Sequence, residues 1–325
     1  MGTFKRLVAS LAALATVFSV TAYAEESGTA SASAPPTVAA QSAILINADT
    51  GRILYEKNDH QKMYPASMTK MLTAMVLLDN MAVDETITID YSINEVPLDS
   101  SRAGVYVGDV VTVENVVRGL IIPSGNDIAN AAASAVAKKN LGENITFEEA
   151  EKYFTGLMNE KARSLGCTES NFVNAHGYHD DNHYTTAYDL YLIFNECIKH
   201  DDFVKIIMAK SHTAKVTGND GTVRSITWEP TNFYATGDAK KPDNVTVIGG
   251  KTGTAEKIPR NKKDYYVSFI GFTPVEKPEL LVYVTIDEPN VSFQANAGLA
   301  VELEKSCMEE IVNVLGIKAA TSTKE

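Results

Sequence analysis

The chain has 325 residues, with 41 acidic against 29 basic side chains and a net charge of −12. That acidic balance argues against nucleic acid as a partner, while the length and 45% hydrophobic content allow a core that needs no disulfide staples. Three widely spaced cysteines, Cys167, Cys197 and Cys307, offer neither a paired framework nor a C-x-x-C metal spacing, and read as small buried hydrophobes.

Taken in order, Lys5 and Arg6 precede an apolar run over residues 7–20 that ends in Ala22-Tyr23-Ala24. This is the three-part pattern of a cleavable export signal, residues 1–24. The run is shorter than the roughly 20 residues of a membrane span. The protein is therefore expected in the extracellular, cell-wall or periplasmic space, with no firm membrane anchor beyond an uncleaved signal. Residues 25–41, rich in Ser, Ala, Thr and Pro, read as a flexible tether. One domain is expected over residues 42–318, and residues 319–325 as a disordered tail.

Residues 43–47 and 52–56 flank the turn Ala48-Asp49-Thr50-Gly51 and predict a hairpin. The next stretch, Tyr64 to Leu78, is almost wholly apolar around Ser67, Thr69 and Lys70, and predicts a buried helix. Pro65 suits its first position, which puts Ser67 in the first turn among unpaired backbone donors. Three residues apart on one helical face, Lys70 can reach the Ser67 hydroxyl and accept its proton.

Helical periodicity follows over 113–122, 127–139, 147–165 and 187–199, with capping boxes expected at Thr146/Glu149 and Thr186/Asp189. The middle of the chain, about 90–200, thus predicts an all-helical lobe. Strand signals return at 245–254, 265–272 and 280–286, and a last helix over 295–315 carries an apolar stripe at Leu299, Leu303, Cys307, Ile311 and Leu315. Strands at both ends of the chain with helices between imply an α+β (α/β) domain. Its core is an antiparallel sheet of about five strands flanked by helices, with the lobe inserted.

Two further stretches carry chemistry. Pro123-Ser124-Gly125-Asn126 forces a tight connection between helices and exposes Ser124 and Asn126. Lys251-Thr252-Gly253-Thr254 lies on a strand whose glycines mark an edge where a ligand can lie as an added strand. S-x-x-K, S-x-N and K-T-G in this order match the signature of penicillin-binding proteins and class A β-lactamases. With Asn174-Ala175-His176-Gly177 and His183-Tyr184-Thr185-Thr186-Ala187, the chain resembles the serine-type D-alanyl-D-alanine carboxypeptidases, low-molecular-mass penicillin-binding proteins, over roughly residues 42–286.

That resemblance implies the β-lactamase/DD-peptidase-like fold and, as partners, a peptidoglycan stem peptide ending in D-Ala-D-Ala and β-lactams as covalent inhibitors. It makes Ser67 the nucleophile, Lys70 its base and Ser124 a proton relay. Asn126, Lys251, Thr252, Gly253 and Thr254 become the substrate-binding residues. Thr254-Ala255 resembles the transpeptidase form of this strand as much as the carboxypeptidase form, leaving the acyl acceptor open. The chain also ends soon after its closing helix, without the trailing β-rich domain or amphipathic anchor of many relatives.

Rival readings are a β-lactamase, a D,D-endopeptidase or transpeptidase, and a non-catalytic β-lactam sensor or wall-binding module. A class A β-lactamase needs a deacylating carboxylate, and Glu169 with Asn171 or Asn174 does not reproduce its E-x-x-L-N spacing. A sensor needs a spanning signalling segment. His176, His179 and His183, with Asp180 and Asp181, lie in a loop where no helical register aligns them, so neither a metal nor an organic cofactor is expected.

Overall fold

In the computed structural model, which describes residues 38–237, 248–274 and 277–315, strand alternation divides the core. Strands β1 (Ser42–Asn47), β2 (Ile53–Lys57), β7 (Gly249–Glu256), β8 (Tyr265–Thr273) and β9 (Leu280–Asp287) form one sheet in the order β2-β1-β9-β8-β7. All its pairings are antiparallel. Side chains alternate across a strand, so Ile44, Ile46, Ile270, Phe272, Leu281 and Tyr283 enter the larger core shared with the helices. Their neighbours Ala43, Leu45, Val267, Phe269, Val282 and Val284 enter a second core. Burial on both faces explains why β8 and β9 read as continuous apolar runs, and each fully buried Leu, Ile or Phe contributes about 1.5–3 kcal/mol.

The larger core is covered by α1 (Thr69–Asn80), α2 (Val113–Ile121), α3 (Asn126–Leu141), α4 (Phe147–Ser164), α5 (Ala187–Cys197) and α6 (Asp201–Ile207). The capping box at Thr146/Glu149 is complete. At α5 only half of the expected box forms: the Thr186 hydroxyl accepts from the Asp189 N–H, while the Asp189 carboxylate accepts from the Glu169 N–H and the Ser170 hydroxyl instead.

Three expectations are corrected. The stretch of about 90–200 is not all helical, because it contains β4 (Val110–Thr112), which joins β3 (Thr86–Thr88), β5 (His212–Thr217) and β6 (Val223–Trp228) from either side of it in a second sheet of order β3-β4-β5-β6. Strands of three residues are too short for a period of two to register. The hairpin β5–β6 does carry a sequence signal, the alternating Ala214, Val216, Ile226 and Trp228 around Asn219-Asp220-Gly221.

Packing also begins before residue 42. Val38 and Ala40 are buried in the second core, and the Gln41 N–H donates to the Thr285 carbonyl.

Finally, α8 (Gly298–Leu315) buries Ala300, Val301, Glu304, Cys307 and Met308, while Leu299 and Leu303 are half-buried. The face is rotated from the expected stripe because Glu304 is drawn inward by the hydroxyl of Tyr234, on the short helix α7 (Phe233–Thr236). The expected signal at 1–24, residues 25–37 of the tether and the tail at 319–325 lie outside the described residues.

Candidate active site

The stretch around Ser67 departs from a plain helix start. Ser67 lies in a 3₁₀ turn, Ala66–Met68, that precedes α1 rather than in its first turn. Ala66 takes φ +50, a left-handed conformation that an alanine enters at a cost of about 1–2 kcal/mol. Gly177 fits against it: a Cβ there would lie 1.7 Å from the Ala66 carbonyl oxygen. The turn keeps the expected geometry, with Lys70 Nζ donating to Ser67 Oγ at 3.0 Å and to the His176 carbonyl at 2.8 Å.

Ser124 is the second strained position, at φ +61 in the connection from α2 to α3. Its shape is set by Asp127, whose carboxylate accepts from the N–H groups of Ala103, Gly104 and Ile128 at 2.7–3.0 Å. From β7, Lys251 Nζ donates to Ser124 Oγ at 3.1 Å and to Thr231 Oγ1 at 3.3 Å. The Asn126 amide oxygen is buried with no partner among the described residues.

Strand β7 is the sheet edge. The Lys257 N–H donates to the Asp264 carbonyl in register with the β7–β8 pairs. Because bonding alternates along an antiparallel ladder, the backbone groups of Thr252, Thr254 and Glu256 face the free edge. Gly253 lets that edge approach the nucleophile turn: a Cβ there would meet Met68 Cε at 3.1 Å and the Pro65 carbonyl at 3.3 Å.

The eight residues named from the sequence thus converge. Ser67, Ser124, Asn126, Lys251, Thr252 and Thr254 line one cleft of about 650 Å³. Lys70 lies beneath, fully buried, and Gly253 supports the strand from behind. No ion pair with a carboxylate is formed by Lys70 or Lys251 among the described residues. Burial, and then the charge of Lys251, holds the Lys70 ammonium well below its ordinary range. Burial lowers Lys251 to about 7.

The loop histidines take separate structural tasks. His176 is pushed well below its usual range by burial, then by Lys70, and its Nδ1 accepts from the Tyr178 N–H. Burial lowers His183 to about 3. Its Nδ1 accepts from the Val173 N–H, so Nε2 carries the proton toward Thr69 Oγ1 at 2.8 Å. His179 packs edge-on against Tyr64.

Sequence reasoning missed the His176 carbonyl, Thr231 and Asp127, none of which has a motif of its own. Glu169 does not line the cleft; its carboxylate bonds His60.

The described fold is shared with the crystal structure of the Streptomyces K15 DD-transpeptidase, with a TM-score of 0.64 at 27% identity over 87% of this chain and 98% of that one. It is also shared with penicillin binding protein 5 from Haemophilus influenzae, with a TM-score of 0.62 at 25% identity over 83% and 71%. Fold and motifs together place the chain among the DD-peptidase-like penicillin-binding proteins.

Residues 29–261 match the model of the D-alanyl-D-alanine carboxypeptidase family, peptidase S11, and the chain belongs to that family. It is 35% identical to a D-alanyl-D-alanine carboxypeptidase of Streptomyces sp. (strain K15) over 62% of this chain and 70% of the relative. With D-alanyl-D-alanine carboxypeptidase DacF of Bacillus subtilis (strain 168) it shares 31% identity over 51% of this chain and 41% of the relative. The match therefore spans less than half of the Bacillus protein.

Proposed function

We propose that the chain is a serine D,D-carboxypeptidase that removes the terminal D-Ala from peptidoglycan stem peptides through an acyl-enzyme, and that β-lactams acylate the same serine. The observation that carries this is the 3.0 Å contact from buried Lys70 to Ser67 Oγ. An amine held below its ordinary range is available as a base.

In this mechanism Ser67 Oγ attacks the carbonyl carbon of the penultimate D-Ala while neutral Lys70 takes its proton. The oxyanion is held by the N–H groups of Ser67 and Thr254, each worth about 3–4 kcal/mol in comparable holes. Ser124 passes a proton to the leaving amine, the C–N bond breaks, and D-Ala departs. Water then adds to the ester and returns Ser67. Lys251 and Thr252 hold the terminal carboxylate, and Asn126, with its unpartnered amide oxygen, accepts from a substrate amide N–H. The stem peptide then runs antiparallel to β7, from its carboxylate at Lys251 toward Glu256. Export to the cell wall follows from the same reading and from the pattern of residues 1–24.

A second reading, transfer of the acyl group to an amine, is favoured by the likeness to the Streptomyces K15 DD-transpeptidase. A β-lactamase is disfavoured because Glu169 is engaged with His60 away from the cleft. Mass analysis of products from a defined D-Ala-D-Ala pentapeptide, with and without an added amine acceptor, distinguishes hydrolysis from transfer. In Ser67→Ala both D-Ala release and covalent labelling by a fluorescent penicillin are expected to vanish with the fold intact. Labelling that survives would place the nucleophile elsewhere.

A further inference from the structure

The amine of Lys70 donates to two acceptors, Ser67 Oγ and the His176 carbonyl. Ser67 is the reacting group, so the carbonyl is what fixes where the base stands. That carbonyl belongs to residues 165–186, a segment between α4 and α5 whose only regular pairing is a pair of isolated bridges. Its position is therefore set by what it is tied to.

Three buried ties hold the segment to the nucleophile turn and to α1. Thr73 Oγ1 donates to the Ala175 carbonyl at 2.6 Å. Gly177, at φ +83, closes on the Ala66 carbonyl oxygen and on Thr69 Oγ1, where a Cβ would lie at 1.7 and 2.7 Å. The third tie is His183, which donates from Nε2 to Thr69 Oγ1 at 2.8 Å while its Nδ1 accepts from the Val173 N–H at 3.1 Å. Of the three, His183 alone spans the segment, joining its outgoing end to its incoming end and both to the residue next to Lys70. A ring bonded at both nitrogens cannot turn without losing a bond, and Phe172 packs edge-on against it with centroids 5.5 Å apart. Because burial lowers His183 to about 3, the ring is neutral above that pH and its N–H toward Thr69 is constant.

We propose that His183 is a positioning residue for acylation: by tying the segment to Thr69 it holds the His176 carbonyl against Lys70 and keeps water from the amine. Loosening the tie admits water, which favours the ammonium form and raises the proton affinity of the base. The ionisable groups facing Lys70 are Lys251 on β7, Asp127 on α3 and His176, and those facing His183 are Asp180, His179 and His176 on its own segment and Lys70 on α1. All of these are retained in the variants below, so a shift in the pH dependence of acylation reports the hydration of Lys70.

The inference rests on Lys70 being the base that activates Ser67, and the test separates the two. Acylation by a fluorescent penicillin is followed by stopped flow from about pH 5 to about pH 10. Two variants cut the tie from either end with little change of shape, Thr69→Val and His183→Phe. In each, the acidic limb, below which Lys70 is protonated, is expected to move up by about one unit. On that limb acylation then slows about tenfold, while on the plateau above it the rate stays within about threefold of the unaltered protein. Should His183→Phe fail to fold, Thr69→Val decides, since there a methyl replaces a hydroxyl and no ring is lost. An acidic limb left in place in either folded variant, even with its melting temperature lowered, would make His183 a packing residue and overturn the proposal. Lys70→Ala acylated at the unaltered rate would overturn the base and the positioning role together, whereas a slow Lys70→Ala beside an unmoved limb would overturn the positioning role alone.

Discussion

Two clusters of buried ionisable groups show how burial alone differs from a site. At the cleft, Lys70 and Lys251 are buried cations without a carboxylate partner, each touching a serine hydroxyl. Beneath α8, Glu304 is a buried carboxyl without a cation, bonded by the Tyr234 hydroxyl. Burial moves every one of them toward the neutral form: the lysines fall, Glu304 rises to about 8, and the Tyr234 phenol is pushed up by burial and then by Glu304. Of the two clusters, the lysines alone serve a ligand-sized space with a nucleophile in it: Lys251 lines the cleft, and Lys70 bonds Ser67 from beneath. A shifted proton affinity becomes chemistry where a reacting atom can approach, and remains a stability term where a helix seals it.

The comparison is broken most sharply by Lys70→Ala. Removing the base is expected to lower the rate of acylation by penicillin by about 10³-fold, within the usual range for positioned proton transfer. Stopped-flow labelling at fixed penicillin reads this directly, and an unchanged rate would end the case for Lys70.

A smaller effect is expected from pH. Lys251 is charged below about 7, so its attraction for a substrate carboxylate is present below that pH and lost above it. KM for a D-Ala-D-Ala peptide is expected to rise about tenfold between pH 6 and pH 8. A bound carboxylate favours the charged form, so the corresponding limb in kcat lies at higher pH. A KM flat over that interval would assign carboxylate binding to Thr252 alone.

The smallest effect belongs to the sealed cluster. Glu304 binds its proton more tightly folded than unfolded, so its contribution is complete below the ordinary carboxyl pKa and is lost as pH rises toward about 8. Glu304→Gln keeps an acceptor for Tyr234 and removes the ionisation. Its melting temperature at pH 8 is expected to exceed that of the unaltered protein by on the order of 5 °C, with D-Ala release unchanged. A lower melting temperature at pH 8 would show that the charged form is the stable one.

Much of this was legible before folding. The β1–β2 hairpin, the helices at α2 to α5 and the three late strands follow from period and capping. Ser67, Lys70, Ser124 and Lys251 announced themselves by spacing. What escaped has a common cause. The strands of the second sheet gain stability from one another across the 123 residues between Thr88 and His212, and the stripe on α8 was misplaced because Tyr234 stabilises an inward glutamate. The same holds for Asp127, which acts through loop N–H groups 23–24 residues upstream.

Residue order by itself determined which side chains could do acyl transfer, because three apart on a helical turn and next to a strand glycine are local relations. It could not determine their proton affinities. Lys70 and Lys251 are 181 residues apart in the sequence numbering, and their depression arises from water excluded by elements drawn from the whole chain. The contact of Arg260 with Asp99, 161 residues away, is likewise a product of the fold, whereas its contact with Glu256, four residues away, is local.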